Sequence, residues 1–141
     1  MLREKDGFYI WPKGRAHSRL SKFFMPAEFE CHCTGDCGEQ RISIELIRRL
    51  DEVRAELGEP ISVTSGYRCE DRQEQLRGLG LKTVAAGNRS QHELGNAADL
   101  TTKNMAALES LLSSKFDAIG VAKKFLHVDM RSDKKRCWKY D

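Results

Sequence analysis

The chain has 141 residues, 40% of them hydrophobic and 32% charged, with a formal net charge of +3. That length suits about one domain, large enough to bury a core without metal or disulfide staples, and the composition excludes a disordered chain. So small a charge speaks against a dedicated nucleic-acid binder. No run approaches the roughly 20 apolar residues of a spanning helix, so no membrane insertion is expected.

The chain begins "MLREKDGFYIWPKG", with charges and a proline where a signal peptide needs an apolar core. This predicts synthesis in the cytoplasm with no export signal of its own. Residues 1–20 read as an irregular N-terminal arm, in which His17 has no assigned role, ahead of a single domain over residues 21–141. "LSKFFMPAEFECHCTGDCGEQ" then leads Phe23, Phe24 and Phe29 into a cysteine-rich loop. A helix follows, capped by Ser43, with Leu46, Ile47, Leu50, Val53 and Leu57 at helical spacing. Gly58 stops it, and Pro60 prevents its resumption.

Ile61–Ser65 is β-branched and reads as a short strand closed by Gly66. A polar helix is expected from about Asp71 to just before Gly78. "GLGLKTVAAGNRSQ" reads as a long, glycine-punctuated loop delivering the chain to His92. "NAADL" reads as a strand, residues from about Asn104 to Leu112 as an amphipathic helix, and Ala118–Val121 and Phe125–Met130 as two closing strands. From Arg131 to Lys139, five cations face the single acid Asp133. This stretch reads as a solvated tail, with attraction to an anionic polymer as the alternative. Helices and strands alternate loosely, with adjacent strands at the end, which predicts an α+β fold.

Two stretches carry chemistry. In "FLHVDM", strand alternation puts His127 and Asp129 on one face and turns Leu126 and Val128 to the core. "SQHELGNAADL" adds His92 and Asp99, so two histidines and two acids arrive from two segments. A zinc ion fits such a set, since catalytic zinc commonly takes three His or carboxylate ligands and keeps one position open. Spacing alone leaves a metal site and a satisfied polar network as equal readings. The cysteines Cys31, Cys33 and Cys37 crowd together in C-x-C-x-x-x-C, not a standard finger spacing, so a second, structural zinc there is the less favoured reading. In a reducing compartment they stay thiols; outside it, pairs could oxidise.

"SGYRC", "SQHELGNAADL" and "FLHVDMR", in this order, resemble the zinc D-alanyl-D-alanine carboxypeptidase family. The matching pattern is S-x-H-x-x-G-x-A-x-D, on Ser90, His92, Gly95, Ala97 and Asp99, with a later H-x-D on His127 and Asp129. That family includes vancomycin-resistance dipeptidases and phage endolysins, and shares its fold with the hedgehog domain. The resemblance covers roughly residues 21 to 140. It implies a small antiparallel sheet with helices packed on one side; the chain is expected to be a monomer. It also implies one zinc ion on His92, Asp99 and His127.

The same resemblance places Arg68 near the substrate, where a guanidinium stabilises charge at the scissile carbonyl. Ser65 and Gln91 are candidate substrate-binding residues, with a structural role as the equal alternative for each, and the cysteine loop is expected to pack near Cys69. The implied activity is hydrolysis next to D-amino acids in peptidoglycan stem peptides, by an enzyme reaching the periplasm or wall after release by another protein.

One position departs from the family. Relatives carry an acid three residues before the last histidine ligand, as the base that takes a proton from water, and here that residue is Lys124. A lysine beside a dication is a poor general base. Asp129 is the preferred replacement, with Glu93 and Asp117 as others. The remaining alternative is a zinc-containing module that binds wall peptide or a protein partner with little or no turnover. No aromatic-basic stripe supports nucleic-acid binding.

Overall fold

A computed structural model describes residues 1–79 and 90–140. Most of the loop expected between Gly78 and Gln91 therefore lies outside the described residues. The fold is α+β, with two sheets and three α-helices among those residues.

The N-terminal segment is not an irregular arm. Strands β1 (Arg3–Lys5) and β2 (Phe8–Pro12) form a hairpin that pairs with β3 (Glu39–Ser43) in a three-stranded antiparallel sheet. Its physical cause is local. Asp6 and Gly7 both take positive φ, at 53° and 87°, as a tight two-residue hairpin turn requires. Trp11 is fully buried, and its indole N–H donates to Glu30 Oε2 at 2.9 Å.

Helix α1 (Ile44–Leu57) starts where Ser43 Oγ accepts the Leu46 N–H at 3.2 Å and ends on left-handed Gly58. Helix α2 (Glu70–Gly78) is polar, burying only Gln73 and Leu76. Helix α3 (Met105–Lys115) is capped by Asn104, whose Oδ1 accepts the Ala107 N–H. Leu46, Ile47, Leu50 and Val53 of α1 join Leu108 and Leu112 of α3 in one core.

The second sheet has the order β4-β5-β7-β6-β8. It comprises β4 (Ser62–Ser65), β5 (Ala97–Thr101), β6 (Ala118–Val121), β7 (Leu126–Asp129) and β8 (Arg136–Lys139). All its pairings are antiparallel except β6 with β8. The basic segment is therefore not a free tail. Arg136, Trp138 and Tyr140 are partly buried while Cys137 and Lys139 are exposed, the period-2 pattern of a strand. Ala98 and Leu100 of β5, Ile119 of β6, and Leu126 and Val128 of β7 belong to the same core as α1 and α3. No helix among the described residues is long and apolar enough to cross a membrane.

Candidate metal centre

The sheet register builds most of the site as one lateral row. Ser65 of β4 lies opposite Asp99 of β5, Asp99 opposite His127 of β7, His127 opposite Gly120 of β6, and Gly120 opposite Trp138 of β8. Directly opposed residues hold their Cβ atoms about 5 Å apart on one face. The core-facing and row-facing residues alternate along β5 and β7, as the sequence of "FLHVDM" predicts.

His92 enters from the turn before β5. Ser90 Oγ accepts the His92 N–H at 3.1 Å, and Glu93 Oε2 accepts the Ser90 N–H at 2.7 Å, which caps the turn. Gly95 closes it at φ +77°, with its N–H bonded to the His92 carbonyl at 3.2 Å and its carbonyl accepting the Ser43 N–H at 2.8 Å. A Cβ on Gly95 would lie 2.9 Å from Arg41 Cγ and 3.0 Å from the Arg41 carbonyl oxygen. Gly95→Ala should thus cost about 2 kcal/mol or more, since left-handed backbone alone costs a non-glycine residue about 1–2 kcal/mol. Urea denaturation measures it, with a midpoint below that of the parent chain.

Three donor atoms converge. His92 Nε2 is 3.3 Å and His127 Nδ1 3.0 Å from Asp99 Oδ1, and one ligand atom from each residue lies within 4.8 Å of the others. The remaining ring nitrogens are fixed from behind. His92 Nδ1–H donates to the Gly66 carbonyl at 2.7 Å, and His127 Nε2 bonds Asp129 Oδ2 at 2.8 Å. This is the outer support that sets tautomer and ring angle in metal-binding histidines.

Burial pushes the His92 imidazole down, further than Asp99 raises it, which favours the neutral ring. At His127 burial works the same way, but the hydrogen bonds to Asp129 and Asp99 outweigh it and raise the imidazole. Burial pushes Asp99 up, yet His92 and His127 together hold it well below the usual carboxylate range. An ionised oxygen and two imidazole nitrogens are the donor set zinc takes in hydrolytic sites. The residues fit the ion.

Arg68 stands beside this set. Its Nη2 is 3.2 Å from Asp99 Oδ2, its Nε donates to Ser65 Oγ at 3.0 Å, and Nη1 reaches Gln73 Oε1 at 3.4 Å. Ser65 thus holds the arginine. Gln91 lies next to His92, half-buried, with its carbonyl accepting the Asn96 N–H.

The candidate bases are placed differently from one another. Asp129 is fully buried with both oxygens engaged: Oδ1 accepts Arg131 N–H and Nε–H, and Oδ2 accepts Arg131 Nη2–H and His127 Nε2–H. Burial raises its carboxyl, but the bonds from His127 and Arg131 bring it down to about 2. Glu93 spends Oε2 on the Ser90 N–H. Asp117 pairs with Lys135 at 3.7 Å, and Lys124 is exposed between β6 and β7.

Sequence reasoning missed the aromatic flank. The Trp138 ring lies 5.4 Å from that of His127, and Tyr140 lies 6.3 Å from Trp138. A Cβ at Gly120 would meet Trp138 Cε2 at 2.7 Å and Tyr140 Cε2 at 2.8 Å, so only glycine leaves room for both rings. Burial raises the Tyr140 phenol, and the charge on Asp99 adds to it. The alternation of Arg136, Trp138 and Tyr140 was the available signal, hidden by Cys137 and Lys139 between them.

An α+β domain with a buried His, Asp, His set and an adjacent arginine is built for metal-assisted hydrolysis. A family model described as Peptidase M15 matches residues 22–129, well over half of the chain. The chain belongs to this family and is a zinc metallopeptidase. No curated protein matches the sequence.

Proposed function

We propose that the chain hydrolyses peptide bonds next to D-amino acids in peptidoglycan stem peptides, as a carboxypeptidase or endolysin-type peptidase of phage or prophage origin. The observation that carries the reading is the convergence of His92 Nε2, Asp99 Oδ1 and His127 Nδ1 beside Arg68. The three motifs holding these residues are those that resemble the D-alanyl-D-alanine carboxypeptidases. Exposed Lys134, Lys135 and Lys139 suit an acidic wall polymer.

His92, Asp99 and His127 would hold zinc, which would supply Lewis-acid polarisation of the carbonyl and lower the pKa of water to about 7. Arg68 stays charged and directs its N–H groups toward developing negative charge on the carbonyl oxygen. Ser65 and Gln73 keep the guanidinium in place, Gln91 meets substrate at the turn, and Trp138 and Tyr140 line the opposite side.

Asp129 serves to orient His127, because a carboxylate with four hydrogen bonds and so low a pKa is a weak proton acceptor. Asp129→Asn should therefore weaken zinc binding about 10–100-fold, the usual cost of losing an outer-shell partner, and excess zinc should restore hydrolysis. Failure of zinc to restore it would return Asp129 to the role of base.

A second reading is favoured by Lys124 and by the saturated Asp129: a zinc-containing module that holds wall peptide without cutting it. Mass spectrometry of purified stem peptides incubated with the zinc-loaded protein separates the two. Fragments that together gain one water support hydrolysis; intact peptides, retained by the protein at high concentration and long times, support the binding module.

A further inference from the structure

We propose that Cys31, Cys33, Cys37 and Cys69 form a second metal site, a closed four-thiolate site for zinc that fastens the loop before β3 to the start of α2. One sulfur from each lies within 4.8 Å of the others. Three come from one short loop, and the fourth stands 38 residues from Cys31, at the N-cap of α2. The fourth member distinguishes this cluster from the three-cysteine loop of the sequence: four protein ligands complete a tetrahedron and leave no open position, the mark of a structural site.

The spacing of the sulfurs favours a shared ion over a direct bond. Cys31 Sγ and Cys69 Sγ are 3.6 Å apart. A disulfide needs about 2.05 Å, whereas two sulfurs at about 2.3 Å from one tetrahedral zinc lie about 3.8 Å apart. Each sulfur has a hydrogen-bond donor beside it. Cys31 Sγ accepts the Cys69 N–H and Cys69 Sγ the Arg72 N–H, each at 3.3 Å, the latter at the positive end of a helix. Cys37 Sγ accepts from Gln40 Nε2 at 3.2 Å, and Lys13 Nζ lies 3.4 Å from Cys33 Sγ. Four thiolates on a dication leave two negative charges, which Lys13 and the helix end offset.

The backbone is arranged to bring the two segments together. Gly66 permits a contact that a side chain would forbid, since its Cβ would lie 2.7 Å from Phe29 Cα, and the Tyr67 N–H donates to the Phe29 carbonyl at 2.9 Å. Fully buried Gln40 adds its Oε1 to the Cys31 N–H at 2.7 Å. Because Cys69 follows Arg68 directly, the site also anchors the arginine that stands at the His92, Asp99, His127 centre.

Metal analysis of the full chain purified under reducing conditions should find two zinc ions per chain, falling to one in Cys69→Ser. The ion that Cys69→Ser retains should be the one that His92→Ala loses. Cobalt-loaded parent protein should show a near-ultraviolet sulfur-to-cobalt band that persists in His92→Ala, so failure of the peptidase centre and failure of this site are read separately. A thiol reagent should find one reactive cysteine, exposed Cys137, in the zinc-loaded protein, and all five once a chelator is added in denaturant. If Cys69→Ser does not fold, the parent's cobalt band and thiol count decide. No cobalt band, four or five reactive thiols in the zinc-loaded protein, or a single thiol after chelation and denaturation overturns the proposal, the last because it reports two disulfides.

Discussion

Replacing His92 with alanine should remove one equivalent of zinc and lower peptide hydrolysis by about 10³-fold or more. The magnitude follows from a metal contribution of several kcal/mol at the transition state, about 1.4 kcal/mol being tenfold in rate. His92 is the candidate ligand whose position depends least on strand pairing: the Ser90–Gly95 turn sets its backbone, and the Gly66 carbonyl sets its ring. Without it Asp99 and His127 remain as two donors on neighbouring strands, too few to hold zinc tightly. The side chain is buried, so the variant's urea midpoint is measured alongside its zinc content and rate. Unchanged zinc stoichiometry in a folded variant would remove His92 from the ligand set.

Arg68→Ala should have the second large effect, a fall in kcat of about 10²–10³-fold, the usual cost of losing one donor to a developing oxyanion. KM should change little, because the interaction strengthens as charge develops. Arg68→Lys should not restore the rate. A single ammonium lacks the planar fork that here reaches Ser65, Gln73 and Asp99 at once. The bond to Asp99 gives a competing outcome: if Arg68 acts only by fixing that ligand, the variant loses zinc and excess zinc restores its activity. Steady-state kinetics with and without added zinc distinguishes the two.

The parts legible in the sequence are those in which local signals agreed. Helix α1 carries a cap, an apolar stripe and a terminating glycine, and it runs where those signals place it. The strand through His127 and Asp129 was readable because two polar residues alternate with Leu126 and Val128. The segments missed had signals masked by polar residues. Asp6-Gly7 is a hairpin turn set among charges, so β1 and β2 passed for an arm. Strand β3 hides a fully buried glutamine, Gln40, intelligible only once Cys31 and Cys37 supply its partners.

Strand β8 looked like a basic tail because its pairing with β6 is a long-range parallel contact that no local pattern encodes. Arg131 looked solvated, yet it donates three hydrogen bonds to Asp129. At the candidate metal centre the motifs pointed to His92, Asp99 and His127, which the fold brings together, but only the sheet register reveals that Ser65, Asp99, His127, Gly120 and Trp138 form one row.

The most direct test of the zinc centre is anomalous diffraction at the zinc edge from crystals of the zinc-loaded protein. The account predicts an anomalous peak bonded to His92 Nε2, Asp99 Oδ1 and His127 Nδ1, at about 2.0–2.2 Å from each. An empty position there in crystals grown with excess zinc, with His127 still bonded to Asp99, would contradict it.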